Sequence, residues 1–108
     1  SIKNFVTKTS LLKTKYDLII NSSSGGMLGK SPLNRNIIRL ADEAKGVIDI
    51  VYNPEMTPLL NRAKRNSIPF VGGLTMLIEQ AKPCFEKWSK SKINVDDKLY
   101  QLARNKLK

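Results

Sequence analysis

Three short runs of aliphatic, largely β-branched residues constrain this chain more than any other feature. They are Asp17-Leu18-Ile19-Ile20-Asn21, Val47-Ile48-Asp49-Ile50-Val51-Tyr52 and Ile68-Pro69-Phe70-Val71. Turn-forming residues close each run: Asn21-Ser22, Asn53-Pro54 and Gly72-Gly73. Runs this short and this apolar read as strands, and the first has the look of a strand buried on both faces. Pro69 places the third run at a strand start or a sheet edge.

Between and after the runs, the apolar period lengthens to that of helices. Leu33, Ile37, Leu40, Ala41 and Ala44 predict a helix over about 33–45, ended by Gly46. Thr57 reads as an N-cap with Pro58 in the first helical position, Leu59, Leu60 and Ala63 facing the core, and Asn66 as a left-handed C-cap. Leu74, Leu77, Ala81, Cys84, Phe85 and Trp88 share one face of an amphipathic helix, which Pro83 is expected to kink. Cys84 and Trp88 are read as packing residues. A polar linker over 89–94 leads to a terminal helix marked by Val95, Leu99, Leu102, Ala103 and Leu107. Upstream, Ile2, Phe5 and Val6 suit a short strand, and Leu11 and Leu12 a helical turn. Strands that alternate with helices imply an α/β fold with a parallel sheet and right-handed crossovers.

The bulk numbers fit one small globular domain. The chain has 108 residues, 41% hydrophobic and 26% charged. No apolar stretch is long enough to span a membrane, and no basic-then-apolar segment opens the chain. It starts at Ser1 rather than Met, as a processed, trimmed or partial chain would. With one cysteine and no histidine, it forms no internal disulfide, no Cys/His zinc site and no histidine base. A cytoplasmic setting is expected. The net charge is +10, but fourteen of the nineteen basic residues are lysines scattered along the chain, and no basic run alternates with aromatics. Nucleic acid is therefore not the expected partner.

Ligands of open parallel sheets bind beyond the carboxyl ends of the strands. Here those ends are Asn21–Met27, Tyr52–Pro54 and Gly72–Gly73. The small residues of Ser22–Gly29 would let backbone N–H groups approach a phosphate, yet no phosphate-loop motif is present. A flexible connection and a backbone wall against a cofactor ring are equally compatible. Tyr52 either packs as a sheet-end aromatic or presents its hydroxyl to a partner. Gln80, at the edge of its helix's apolar stripe, reads as a half-buried amide that contacts a polyol ligand or caps a loop. Asp49 is the odd residue, because a carboxyl group in mid-strand needs donors if it is buried.

Read together, three blocks resemble one family. Asp17-Leu18-Ile19-Ile20-Asn21-Ser22-Ser23-Ser24-Gly25-Gly26-Met27 resembles the D-L-I-I-N-A-T-S-V-G-M segment of shikimate dehydrogenases. Asp49-Ile50-Val51-Tyr52-Asn53-Pro54, followed by Thr57-Pro58-Leu59-Leu60 and Ala63-Lys64, resembles their D-x-V-Y-N-P-x-x-T-P-L-L-x-x-A-K. Gly73 through Ala81, then Phe85 and Trp88, resembles G-L-x-M-L-x-x-Q-A-x-x-x-F-x-x-W. The blocks keep family order and spacing across about 17–88.

The resemblance implies the C-terminal half of a Rossmann-like doubly wound sheet ending in two helices. Residues 1–88 would belong to the NADP-binding domain, and 89–108 would form a linker and a helix packing back on it. It implies NADPH-dependent reduction of 3-dehydroshikimate to shikimate, on the route to chorismate and the aromatic amino acids. The backbone around Ile50 and Gly73 would line the nicotinamide pocket, and Tyr52 and Gln80 would touch the substrate. The family's catalytic Lys and Asp, its Gly-rich pyrophosphate turn and its Asn-Arg-Thr segment have no counterpart here. No residue of this chain is therefore assigned a catalytic role, and the chain alone is expected to be inactive. The alternative is a non-catalytic module derived from the family, with a basic surface for an acidic partner. An unpaired sheet edge is expected to leave the monomer marginally stable. Strand exchange, a homodimer or the missing N-terminal half would relieve this.

Overall fold

A computed structural model describes residues 15–107; the strand expected over 2–6 and the turn at 11–12 lie outside them. The sheet has three parallel strands in the order β1 (Leu18–Asn21), β2 (Gly46–Asp49) and β3 (Phe70–Val71). Sheet order follows chain order, as successive crossovers on one side produce. A short helix, α1 (Arg35–Ile38), runs into a 3₁₀ turn (Arg39–Glu43) before β2. Then come α2 (Pro58–Arg65), α3 (Gly73–Ser89) and α4 (Asp97–Leu107). This is the expected α/β architecture, an open Rossmann-like parallel sheet with its helices.

The core lies on one face of the sheet. Ala41 and Ala44 meet Val47 of β2 and Leu59, Leu60 and Ala63 of α2, with Ile19, Leu33, Met56 and Ile68 at the margin. Fully burying Leu59 and Leu60 contributes about 2 kcal/mol each. The other face is open. Ile20, Ile48 and Val71 share a register row, and Leu18, Ile20 and Val71 are exposed. The first strand is therefore not buried on both faces, because the helical layer covers only the side of Ile19, Val47 and Val51.

The helix expected over 33–45 is shorter. Its end is drawn into the sheet when Lys45 and Gly46 donate their N–H groups to the Asp17 carbonyl at 2.7 and 3.1 Å. Ala44 is accordingly extended and Gly46 opens β2 instead of capping a helix. The Thr57 cap forms as expected, its hydroxyl oxygen accepting the Leu60 N–H at 3.2 Å with Pro58 next. At the other end the left-handed residue is Ser67 (φ 56°), not Asn66. Asn66 Nδ2 donates to Asp42 at 2.7 Å instead. Pro69 precedes β3, an edge strand, where its carbonyl accepts the Val47 N–H at 3.0 Å.

On α3, only the beginning of the predicted apolar face is covered. Gly73, Leu74 and Ile78 are buried, whereas Leu77, Cys84 and Phe85 are exposed and Trp88 is 83% exposed. Trp88 and Cys84 are therefore not core residues. The 17 residues of α3 extend about 25 Å, whereas strands of two to four residues extend only about 7–13 Å, so the sheet is too short to cover the whole helix.

Candidate functional site

The loops leaving the strands lie on one rim of the sheet, and Asp49 ties the end of β1 to the segment that follows β2. It is fully buried. Its Oδ1 accepts from Asn21 Nδ2 at the end of β1 and from the Val51 N–H, both at 3.0 Å. Its Oδ2 accepts the Thr57 hydroxyl at 2.7 Å. The donors that a buried carboxyl group requires are thus a side-chain amide, a backbone N–H and the N-cap of α2. Asp49 is not in mid-strand: it ends the central strand, which stops three residues short of the expected run to Tyr52. Sequence reasoning singled it out but missed Asn21 and Thr57 as its partners. The signal was that each carries a short polar side chain at the end of an apolar run or the start of a helix.

The Ser22–Gly29 loop uses its own N–H groups. Ser23 donates to Asn21 Oδ1, Gly25 to Ser23 Oγ, Gly26 to the Ser31 carbonyl and Met27 to the Ser24 carbonyl, all at 3.0–3.1 Å. Leu28 donates to the Asn53 carbonyl at 2.9 Å, fastening the loop to the turn after β2. The left-handed turns this path needs fall at Gly26 (φ 92°) and Gly29 (φ 79°). Five of the loop's backbone N–H groups are thus engaged within the protein, which leaves fewer for a phosphate.

Ile50 and Gly73 come together. A methyl group on Gly73 would stand 2.5 Å from the Val51 carbonyl carbon and 2.6 Å from that of Ile50. Only glycine allows α3 to start so close to the backbone of the β2 end. The Gly73 N–H donates to the Val51 carbonyl at 3.2 Å and the Ile50 N–H to the Asn21 carbonyl at 3.1 Å, which fixes both backbones. The Ile50 side chain is 41% exposed, leaving an apolar surface beside this junction.

Tyr52 is 42% exposed, so it is not a buried sheet-end aromatic. Gln80 is exposed rather than half-buried. It lies two turns along α3 from Gly73, on the same side of the helix. Among the described residues, neither side chain has a hydrogen-bond partner, and both amide and hydroxyl stay available to a ligand. No group of three or more metal-ligating side chains occurs among the described residues. Away from the rim, Arg104 holds Glu55 through two hydrogen bonds of 2.6 and 2.9 Å. That contact lowers the Glu55 pKa below the usual range, against the opposing effect of burial. Arg62 likewise lowers Asp42 by a two-pronged hydrogen bond, with burial opposing and Asn66 adding to the lowering.

Comparison with known proteins points in one direction. No family model matches the chain. The NADP(+) shikimate dehydrogenase of Rhodospirillum rubrum is 45% identical over 82 residues, covering 76% of this chain and 29% of that protein. That of Dictyoglomus thermophilum is 49% identical over 72 residues, covering 66% and 25%. Among solved structures, a chorismate mutase/shikimate 5-dehydrogenase fusion protein from Clostridium acetobutylicum superposes with a TM-score of 0.68 at 29% identity, over 92% of this chain and 38% of that one. A shikimate dehydrogenase in complex with NADP+ gives 0.59 at 31% identity, over 72% and 28%. The chain thus spans less than a third of the length of these curated relatives. Over the part it spans, it is a homologue of the shikimate dehydrogenases.

Proposed function

We propose that this chain forms the nicotinamide-side wall of the cleft in which an NADP-dependent shikimate dehydrogenase reduces 3-dehydroshikimate to shikimate. The observation that carries this reading is the Gly73–Ile50 junction. A backbone surface fixed by hydrogen bonds, with an apolar side chain beside it, sits at the carboxyl ends of parallel strands, where such sheets bind ligands. The flat ring of a nicotinamide fits against it. The described residues suit that ring better than the pyrophosphate, since five of the backbone N–H groups of Ser22–Gly29 already have partners within the protein.

When bound, NADPH supplies the hydride. The chain's own part is positional. Ile50 and Gly73 would fix the ring plane, and Tyr52 and Gln80 would hydrogen-bond the substrate's hydroxyl or carboxylate oxygens, restricting it to a near-attack orientation. Proton transfer to the carbonyl oxygen would come from the family's Lys and Asp, so this chain by itself turns nothing over. Residues 1–88 belong, in this reading, to the NADP-binding domain. Residues 89–108 return α4 to it through the Arg104–Glu55 pair. The single cysteine suits a cytoplasmic enzyme.

Saturation-transfer NMR with NADPH tests the reading. The nicotinamide protons should receive more saturation than the adenine protons, while 3-dehydroshikimate elicits no NADPH oxidation. Transfer confined to adenine, or turnover by this chain alone, would refute it.

A further inference from the structure

Four of the chain's five arginines converge on a single groove. Arg35 and Arg39 line it from α1 and the start of the 3₁₀ turn, and Arg62 and Arg65 from α2, with Lys64 beside them. The placement follows from helical spacing: 35, 38 and 39 form one stripe, and 58, 61, 62 and 65 form the facing one. The open groove offers about 700 Å³, within the size of small-molecule sites. Arg62 is spent on Asp42, at 2.5 and 2.6 Å, and this pair braces the wall. Asp42 also lies in the field of Arg39. Among the described residues, Arg35, Arg39, Lys64 and Arg65 have no carboxylate within salt-bridge distance. Positive charge is thus gathered around the groove, offset among the described residues only in part by Asp42, which is already paired with Arg62.

We infer that this groove binds a small molecule carrying two or more linked phosphate groups. Guanidinium forks match phosphate oxygens in pairs, and a polyphosphate brings enough negative charge into this volume to offset several cations at once. The Asn61 amide adds a neutral donor, and Ile38 gives an apolar patch on the wall. No aromatic residue lines the groove, so it lacks the stacking platform that single-stranded nucleic acids use. Ile50, Tyr52, Gly73 and Gln80 do not line it either, so it is separate from the rim.

Calorimetric titration of the full chain with sodium tripolyphosphate, at about 0.1 M salt to suppress diffuse attraction, tests the inference. One saturable site is expected. Arg39→Gln with Arg65→Gln should weaken it about tenfold or more, and Lys87→Gln with Lys92→Gln less than about twofold. Both pairs remove two positive charges, so the contrast separates groove from net charge. In the unmutated chain, ¹⁵N shifts on adding tripolyphosphate should concentrate at residues 35–39 and 61–65, which needs no variant to fold. The inference is overturned by absent saturation, by equal weakening in the two variants, or by shifts spread over the lysine-rich surface. It is also overturned if an oligouridine binds more tightly than tripolyphosphate through the same arginines. Finally, loss of NADPH saturation transfer in the folded Arg39/Arg65 variant would assign the groove to the cofactor instead.

Discussion

Replacing Asp49 by alanine should cost more stability than any other polar substitution in the described chain. Asp49 has 0% exposure, and three donors end on it at 2.7–3.0 Å. Alanine removes the acceptor and leaves the Asn21 amide, the Val51 N–H and the Thr57 hydroxyl to find new partners in a buried place. A buried donor left unsatisfied costs about 1–3 kcal/mol. Two of the three have somewhere to turn: Asn21 Nδ2 also donates to the Gly25 carbonyl at 3.0 Å, and the Thr57 hydroxyl rotates freely. The Val51 N–H has neither escape. The expected loss is about 3–5 kcal/mol, a large share of the 5–15 kcal/mol that holds a domain together. Asp49→Asn keeps one oxygen for Val51 and Asn21, and its new NH₂ can donate to Thr57, so it should lose only about 1–2 kcal/mol. Urea unfolding, followed by far-UV circular dichroism, reads the difference. With a slope of about 1–2 kcal/mol/M, the alanine midpoint should fall by about 1.5–5 M and the asparagine midpoint by about 0.5–2 M, the alanine shift being the larger at any one slope. An Asp49→Ala midpoint within about 0.3 M of the unmutated chain would show that these bonds do not organise the rim.

Gly73→Ala places a methyl group 2.5 Å from a backbone carbon that cannot move aside. It should cost about 3 kcal/mol by displacing the start of α3, seen as a lower thermal midpoint and shifted Ile50 and Val51 amide resonances. Glu55 is held below its usual pKa chiefly by Arg104. The stability this gives is therefore complete above the unfolded-state pKa, about 4.3, and is lost as pH falls through the lower folded-state value. Amide exchange should show α4 losing protection in that acidic window, and Glu55→Gln should show the loss already at neutral pH. Leu18, Ile20 and Val71 form an exposed apolar row beside two strand edges. Sedimentation of the chain should therefore show concentration-dependent association, which Ile20→Lys reduces.

What the sequence disclosed about the fold was mostly local. The cap at Thr57-Pro58 was readable because its partner, Leu60, is three residues away. The strand runs and their order were readable from β-branched content and turn residues, and Asp49 stood out because a carboxyl group in such a run demands partners. Features that depend on a distant element were not readable. Periodicity marks which residues share a face of α3, but not whether a neighbour covers that face, so Trp88 passes for a core residue although it is exposed. The same holds for Leu18 and Ile20, which are apolar enough for a doubly covered strand and yet lie on the uncovered side. The shortened helix before β2 depends on the Asp17 carbonyl capturing Lys45 and Gly46 across the sheet, which no window along the chain contains. At the rim, spacing placed Gly73 at the start of a helix, but only the approach of the Ile50 carbonyl explains why it is glycine. The arginines looked scattered because their shared groove forms only when two helix faces meet.

The central claim is that this chain supplies the cofactor and substrate wall of a shikimate dehydrogenase cleft. It is tested most directly by transplanting residues 17–88 into the corresponding place in the Rhodospirillum rubrum enzyme, which is 45% identical over the matched 82 residues. The account predicts that the chimera oxidises NADPH when given 3-dehydroshikimate. It also predicts that Gln80→Ala and Tyr52→Phe raise KM for that substrate, each by about tenfold for one lost hydrogen bond, without changing KM for NADPH. A folded chimera with no turnover, or one in which both substitutions leave KM for 3-dehydroshikimate unchanged, would contradict it.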